Sequence, residues 1–184
     1  MNVQKQYRLI LGALASVALV TLSVAAPAAA EDLEPGVDGP QIAVEYLPLE
    51  ELTVKPAIGS TLVVQESESV TVYMGVSAAC TESIEVNRPR KDAGQAKAAV
   101  RFQRTDGCSG TKKRTALLWA QGFGGFWVEK DRASGSVAGG INVIVTVSFP
   151  CQNSNSTIWK SGGFFGDVAS GLNESLDTTL ACGA

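Results

Sequence analysis

The sequence predicts an all-β protein: an antiparallel β-sandwich, Ig-like or jelly-roll-like, closed by two disulfides. Three observations predict it. The stretch Ile141–Cys151 alternates, with Ile141, Val143, Val145, Val147, Phe149 and Cys151 forming an apolar row between Asn142, Ile144, Thr146, Ser148 and Pro150. Val70–Cys80 has the same design, with Val70, Val72, Met74, Val76, Ala78 and Cys80 in the row. Successive side chains of a strand face opposite sides, so each stretch sets one apolar row against a core. β-Branched residues, which suit a pleated, half-buried surface, dominate both. Elsewhere short apolar runs are divided by turn clusters and no convincing helical stripe appears, as in a sandwich.

Residues 1–30 read as a signal peptide. Lys5 and Arg8 precede an apolar run, Leu9–Val24, and Ala28-Ala29-Ala30 supplies the small residues of a cleavage site. A membrane anchor would need an apolar span of about 20 residues. No cysteine follows closely enough for a lipid-modified N-terminus, so the expected location is extracellular. Cleavage after Ala30 removes two of 15 basic and none of 18 acidic residues, taking the formal net charge from −3 to −5. What remains suits one domain with a sizeable core. Residues 31–58 read as an acidic segment, partly linker with an edge strand, and 59–184 as the sandwich domain.

All four cysteines, Cys80, Cys108, Cys151 and Cys182, lie beyond the leader. An even count in an exported chain reads as two bridges. Cys80–Cys108 with Cys151–Cys182 is preferred because the two loops are then of similar length, each bridge stabilising by roughly 3–4 kcal/mol in the loop-entropy model. A bridge joining the two long strands through Cys80 and Cys151 is the rival. The spacings contain no Cys-x-x-Cys pair, which argues against zinc.

In chain order, Ile42–Tyr46 reads as a short strand held to an edge by the nearby Pro48 and Pro56. Thr61–Val64 is another short run, and Val70–Cys80 is the first long strand. Ser83–Asn87 alternates. Arg88–Gly94 reads as a loop, and Ala98, Val100 and Phe102 mark a strand with one wet face. The weakest helical candidate, Asp92–Val100, overlaps it. Thr105–Thr111 is a turn cluster around Cys108. Ala116–Gln121 and Phe126–Lys130 form a hairpin reversing through Gly122-Phe-Gly-Gly125. Asp131–Ser136 reads as turn-like, Gly139-Gly140 as the lead into the second long strand, and Asn153–Ser156 as a polar turn. Thr157–Lys160 is a short strand, Gly162–Gly166 a glycine-aromatic stretch, and Leu176–Cys182 closes the domain.

The absence of histidine is the sharpest functional constraint. It excludes Ser-His-Asp and Cys-His catalysis and removes the commonest metal ligand. Pairing the cysteines removes the thiol nucleophile. No carboxylate pair, phosphate loop or aspartate-rich calcium loop is recognisable. The expectation is a protein without enzymatic activity, cofactor or metal.

Two features point to binding. Between positions 88 and 114, Arg88, Arg90, Lys91, Lys97, Arg101, Arg104, Lys112, Lys113 and Arg114 face only Asp92 and Asp106. Such a segment suits an anionic envelope polymer or membrane surface, with nucleic acid not expected; the structural alternative is a solvated face. The second feature is aromatic. Phe123, Phe126 and Trp127 sit at the glycine-rich hairpin tip, and Trp159, Phe164 and Phe165 in the second glycine-aromatic stretch. Rings beside glycines suit glycan stacking or shallow membrane insertion; the alternative is that they cap the core. The leading expectation is a secreted β-domain that binds a cell-envelope or other extracellular component. A membrane-active antagonist is the alternative, as is an inhibitor of an extracellular enzyme presenting Arg88–Gly94. Asn155-Ser-Thr157 and Asn173-Glu-Ser175 match glycosylation sequons.

Overall fold

A computed structural model describes residues 43–49, 51–52, 54–166 and 171–184. The signal peptide expected over residues 1–30 and the acidic stretch as far as Ile42 lie outside the described residues. Twelve strands are present: β1 (Ala43–Leu47), β2 (Thr61–Gln65), β3 (Ser69–Gly75), β4 (Thr81–Asn87), β5 (Arg90–Asp92), β6 (Gln95–Arg104), β7 (Thr111–Gln121), β8 (Trp127–Ala138), β9 (Ile141–Pro150), β10 (Asn153–Phe165), β11 (Asn173–Glu174) and β12 (Thr178–Gly183). They form two antiparallel sheets. The seven-stranded first sheet runs β1-β9-β6-β4-β3-β2, with β5 also paired to β6. The five-stranded second sheet runs β11-β10-β7-β8, with β12 also paired to β10.

The core lies between the sheets. Strand β9 supplies Val143, Val145 and Val147, all fully buried, and pairs with β6 along its whole length. Beside them lie Ile84, Val86, Val100 and Phe102 of the same sheet, and the second sheet contributes Ala116, Leu118, Ala120, Ala133 and Trp159 to the same cluster. Trp159 is wholly buried, and its indole N–H donates to the Cys182 carbonyl at 3.0 Å. A buried indole needs such a partner.

The preferred disulfide pairing is the one present. Cys80–Cys108 closes a separation of 28 residues and Cys151–Cys182 one of 31. The second bridge joins the residue after β9, in one sheet, to β12 in the other, so it ties the layers together.

Several strands differ from expectation. The alternation of Val70–Cys80 ends at Gly75, and Val76 and Ala78 are exposed. Gly75 lies against the backbone of Pro56 and Ala57, where no Cβ would fit. Beyond it, residues 76–80 close a turn through bonds between Val76 and Ser77 N–H groups and the Cys80 carbonyl. Arg90–Asp92 is a strand, and Ala93-Gly94, both at positive φ, make the turn into β6. No helix forms over Asp92–Val100, because the Ala96, Ala98, Val100 row is a buried strand face. Asp131–Ser136 belongs to the 12-residue β8, and Asn153–Ser156 to the 13-residue β10. In both the ladder is irregular, and most of the polar side chains face solvent.

Candidate functional site

The nine basic residues divide into three groups. Arg88, Arg90 and Lys97 line one open cleft of about 360 Å³, together with Glu68, Asn87, Pro89, Ala98, Ala99 and Thr146. The short β5 strand, continuing the β4 side of β6, places Arg90 directly opposite Lys97. Lys97 also pairs with Asp92 at 2.9 Å, and this bond and charge hold the Asp92 carboxyl below its ordinary value. The Arg88 Nε is buried and has no hydrogen-bond partner among the described residues.

A second group turns inward. Arg104 and Lys112 both contact the buried Glu82, and Arg114 is 2% exposed. The remaining three are dispersed: Lys91 donates to the Ala181 carbonyl at 2.5 Å, Arg101 lies 3.8 Å from Glu85, and Lys113 is exposed. The run of charge in sequence is therefore not one basic face, and Arg88, Arg90 and Lys97 share one concavity.

The aromatic residues also divide. Trp159 is core, and Phe165 packs edge-on against Phe102 with ring centroids 5.4 Å apart. Phe164 is buried, on the outward side of the second sheet. At the hairpin tip the arrangement is different. Phe123 and Phe126 are 104% and 76% exposed. They flank Gly124 and Gly125, both at positive φ, in a 3-10 turn between β7 and β8. Glycine adopts this conformation without the steric cost a side chain would add. Trp127 begins β8 and is half-buried, with the Lys160 Nζ 4.5 Å from its ring centroid.

Sequence reasoning missed three features. Trp119 lies on the outward side of β7, its ring over Gly162 of β10 and 5.3 Å from the same Lys160 Nζ. Only its place in the apolar strand Ala116–Gln121 marked it. A further groove of about 650 Å³ runs beside the Cys80–Cys108 bridge, lined among others by Leu49, Leu52, Pro56, Ile58 and Ala79. It joins segments distant in sequence and left no local signal. Asn173, read as part of a sequon, is 5% exposed, and its side-chain amide bonds to two backbone carbonyls. Asn155 of the other sequon is exposed.

Among the described residues no group of three His, Cys, Asp or Glu side chains could hold a metal ion. Among them, no helix is long and apolar enough to cross a membrane. Comparison with protein-family models, with characterised proteins and with solved structures finds no match.

Proposed function

We propose that this chain is a secreted, non-enzymatic binding domain that engages a cell-envelope or other extracellular surface through the tip of the β7–β8 hairpin. The observation that carries this reading is the exposure of both Phe123 and Phe126 on either side of a two-glycine turn. Fully burying one such side chain is worth about 1.5–3 kcal/mol. The fold gains none of this at Phe123, whereas a partner that covers the tip does. The two disulfides accord with an oxidising compartment.

A second reading rests on the cleft of Arg88, Arg90 and Lys97, which suits a phosphate or carboxylate group of an anionic polymer. Sedimentation of the oxidised protein with washed cell envelopes, at low and high salt, separates the two. Tip binding survives salt and is lost in Phe123→Ala/Phe126→Ala. Cleft binding is released by salt and lost in Arg88→Ala/Arg90→Ala. If the wild-type protein stays in the supernatant at both salt concentrations, both readings fail. Dye release from liposomes would instead favour a membrane-active role.

A further inference from the structure

The outward face of the second sheet carries a cluster of two tryptophans and a lysine, separate from the cleft of Arg88, Arg90 and Lys97. Register fixes its layout. Trp119 of β7 lies opposite Lys160 of β10 on one side and Glu129 of β8 on the other. Trp127 of β8 lies opposite Gln121, one pleat along the same face. The two tryptophans are thus diagonal cross-strand neighbours, which in a sheet brings large rings within reach of each other. Both are half-buried.

The Lys160 Nζ holds them together. It lies 5.3 Å from the Trp119 centroid and 4.5 Å from the Trp127 centroid, and bonds Glu174 Oε1 at 2.6 Å. Its side chain is only 13% exposed. On the β8 border, Arg132 grips Glu129 through two bonds of 2.9 and 2.7 Å. The tryptophan pair is therefore bordered on each side by a closed ion pair.

Gly162 adds a third element. A Cβ there would sit 2.6 Å from the edge of the Trp119 ring, so only glycine lets the indole reach across to β10. Glycine inside a strand costs roughly 0.5–1 kcal/mol. The outcome is a ring carried by paired strands, a more rigid support than a loop.

We propose that this face is a glycan platform for uncharged β-1,4-linked pyranose chains; this rests on the reading of the chain as an extracellular binding domain. In such chains the ring substituents are equatorial, which leaves flat C–H faces to stack on indole rings and puts hydroxyls at the ring edges. A hydroxyl both donates and accepts. The border pairs match it, Glu174 and Glu129 as acceptors and Lys160 and Arg132 as donors. Because each of these charges is already partnered, the face complements a neutral polyhydroxyl surface better than an anionic polymer. An apolar bed with a few placed polar groups is the usual composition of a small-molecule site.

The test is retention of the oxidised full chain on chitin beads and on microcrystalline cellulose, with tryptophan fluorescence titrated with chitohexaose and cellohexaose. The expected result is retention on at least one polymer that persists at about 0.5 M salt. Trp127→Ala and Glu174→Gln should each weaken binding by roughly tenfold or more while both variants remain folded. The proposal is overturned if folded Trp127→Ala binds undiminished, or if the wild-type protein is retained on neither polymer. Sedimentation with envelopes distinguishes the failures. Envelope binding without polymer binding overturns the platform and leaves the binding-domain reading standing, whereas absence of both overturns both.

Discussion

Glu82 and Arg104 face each other directly across β4 and β6, 3.0 Å apart and 1% and 5% exposed. The pair is not isolated. Arg104 also donates to the carbonyls of Ser109, Gly110 and Val137, so it holds the loop beside Cys108 and reaches β8 in the other sheet. Lys112 of β7 closes on the second Glu82 oxygen at 2.7 Å. Four chain segments thus meet on two side chains.

Removing one member of a buried pair costs about 3–5 kcal/mol when the remaining charge is left uncompensated. In Arg104→Met the Glu82 carboxylate keeps Lys112 but three carbonyls lose their donor, so stability to urea should fall by at most about that amount. Glu82→Leu combined with Arg104→Met should cost clearly less than the sum of the single changes. Strict additivity in this double-mutant cycle would show that the two side chains do not act as a unit.

Asp131 supplies a pH dependence. It sits where β8 bulges against β7, accepting from its neighbour Arg132 N–H at 2.8 Å and, across to β9, from Ser148 N–H at 2.7 Å. Burial raises its pKa; these two bonds oppose the rise, and the Glu129 charge adds to it. With the folded pKa above the unfolded value of about 3.9, the folded state binds the proton more tightly between the two values. Stability from this group is full below about pH 4 and is lost as pH rises through the folded pKa. In Asp131→Asn that component disappears. Subtracting the variant's stability–pH curve from the wild-type curve should leave a term that falls over this window, and a flat or rising difference would refute the assignment.

The long strands were legible because their alternation is set by burial on one face, as Val143, Val145 and Val147 illustrate. The disulfides were legible from spacing. The continuation of β8 beyond Lys130 was not, because its outward residues Arg132, Ser134 and Ser136 are polar and its inward ones include Ala133 and Gly135, which together imitate a turn. The end of β3 was hidden too, since only the approach of the Pro56–Ala57 backbone to Gly75 stops the alternation there. At the candidate sites, composition found the residues but not their partners. Nothing local distinguishes Arg104, buried on Glu82, from Arg90, exposed at the cleft. The tryptophan face required knowing which strand lies beside which.

Gly162 and Gly163 are adjacent in β10 but serve opposite faces, so alanine should act differently at each. At Gly163 a Cβ would lie 2.6 Å from Val100 and 3.1 Å from Phe102, inside the packed core. Overpacking of this kind costs typically 1–3 kcal/mol, read as a lower urea midpoint. At Gly162 the obstacle is the rim of the Trp119 ring on the outward face. Gly162→Ala should alter tryptophan fluorescence and glycan retention more than it alters stability. Equal loss of stability at both sites would contradict this division.

Asn173 is a pillar between the sheets. Its amide nitrogen donates to the Val70 carbonyl at 2.9 Å and the Ile84 carbonyl at 3.0 Å, linking β11 to β3 and β4 opposite. Both bonds need the N–H₂ group, which fixes the orientation of the amide. Asn173→Ala leaves two carbonyls without this donor, and an unsatisfied buried group costs about 1–3 kcal/mol. Asn173→Asp keeps the shape but sets a carboxylate oxygen against two carbonyl oxygens, so repulsion and desolvation add to the lost bonds. The aspartate variant should therefore be the less stable of the two at neutral pH, and should recover part of the deficit as acid protonates the new carboxyl. Urea unfolding of both variants at pH 7 and at about pH 4 measures this. If the aspartate variant matched or exceeded the alanine variant at pH 7, Asn173 would not be acting as a double donor.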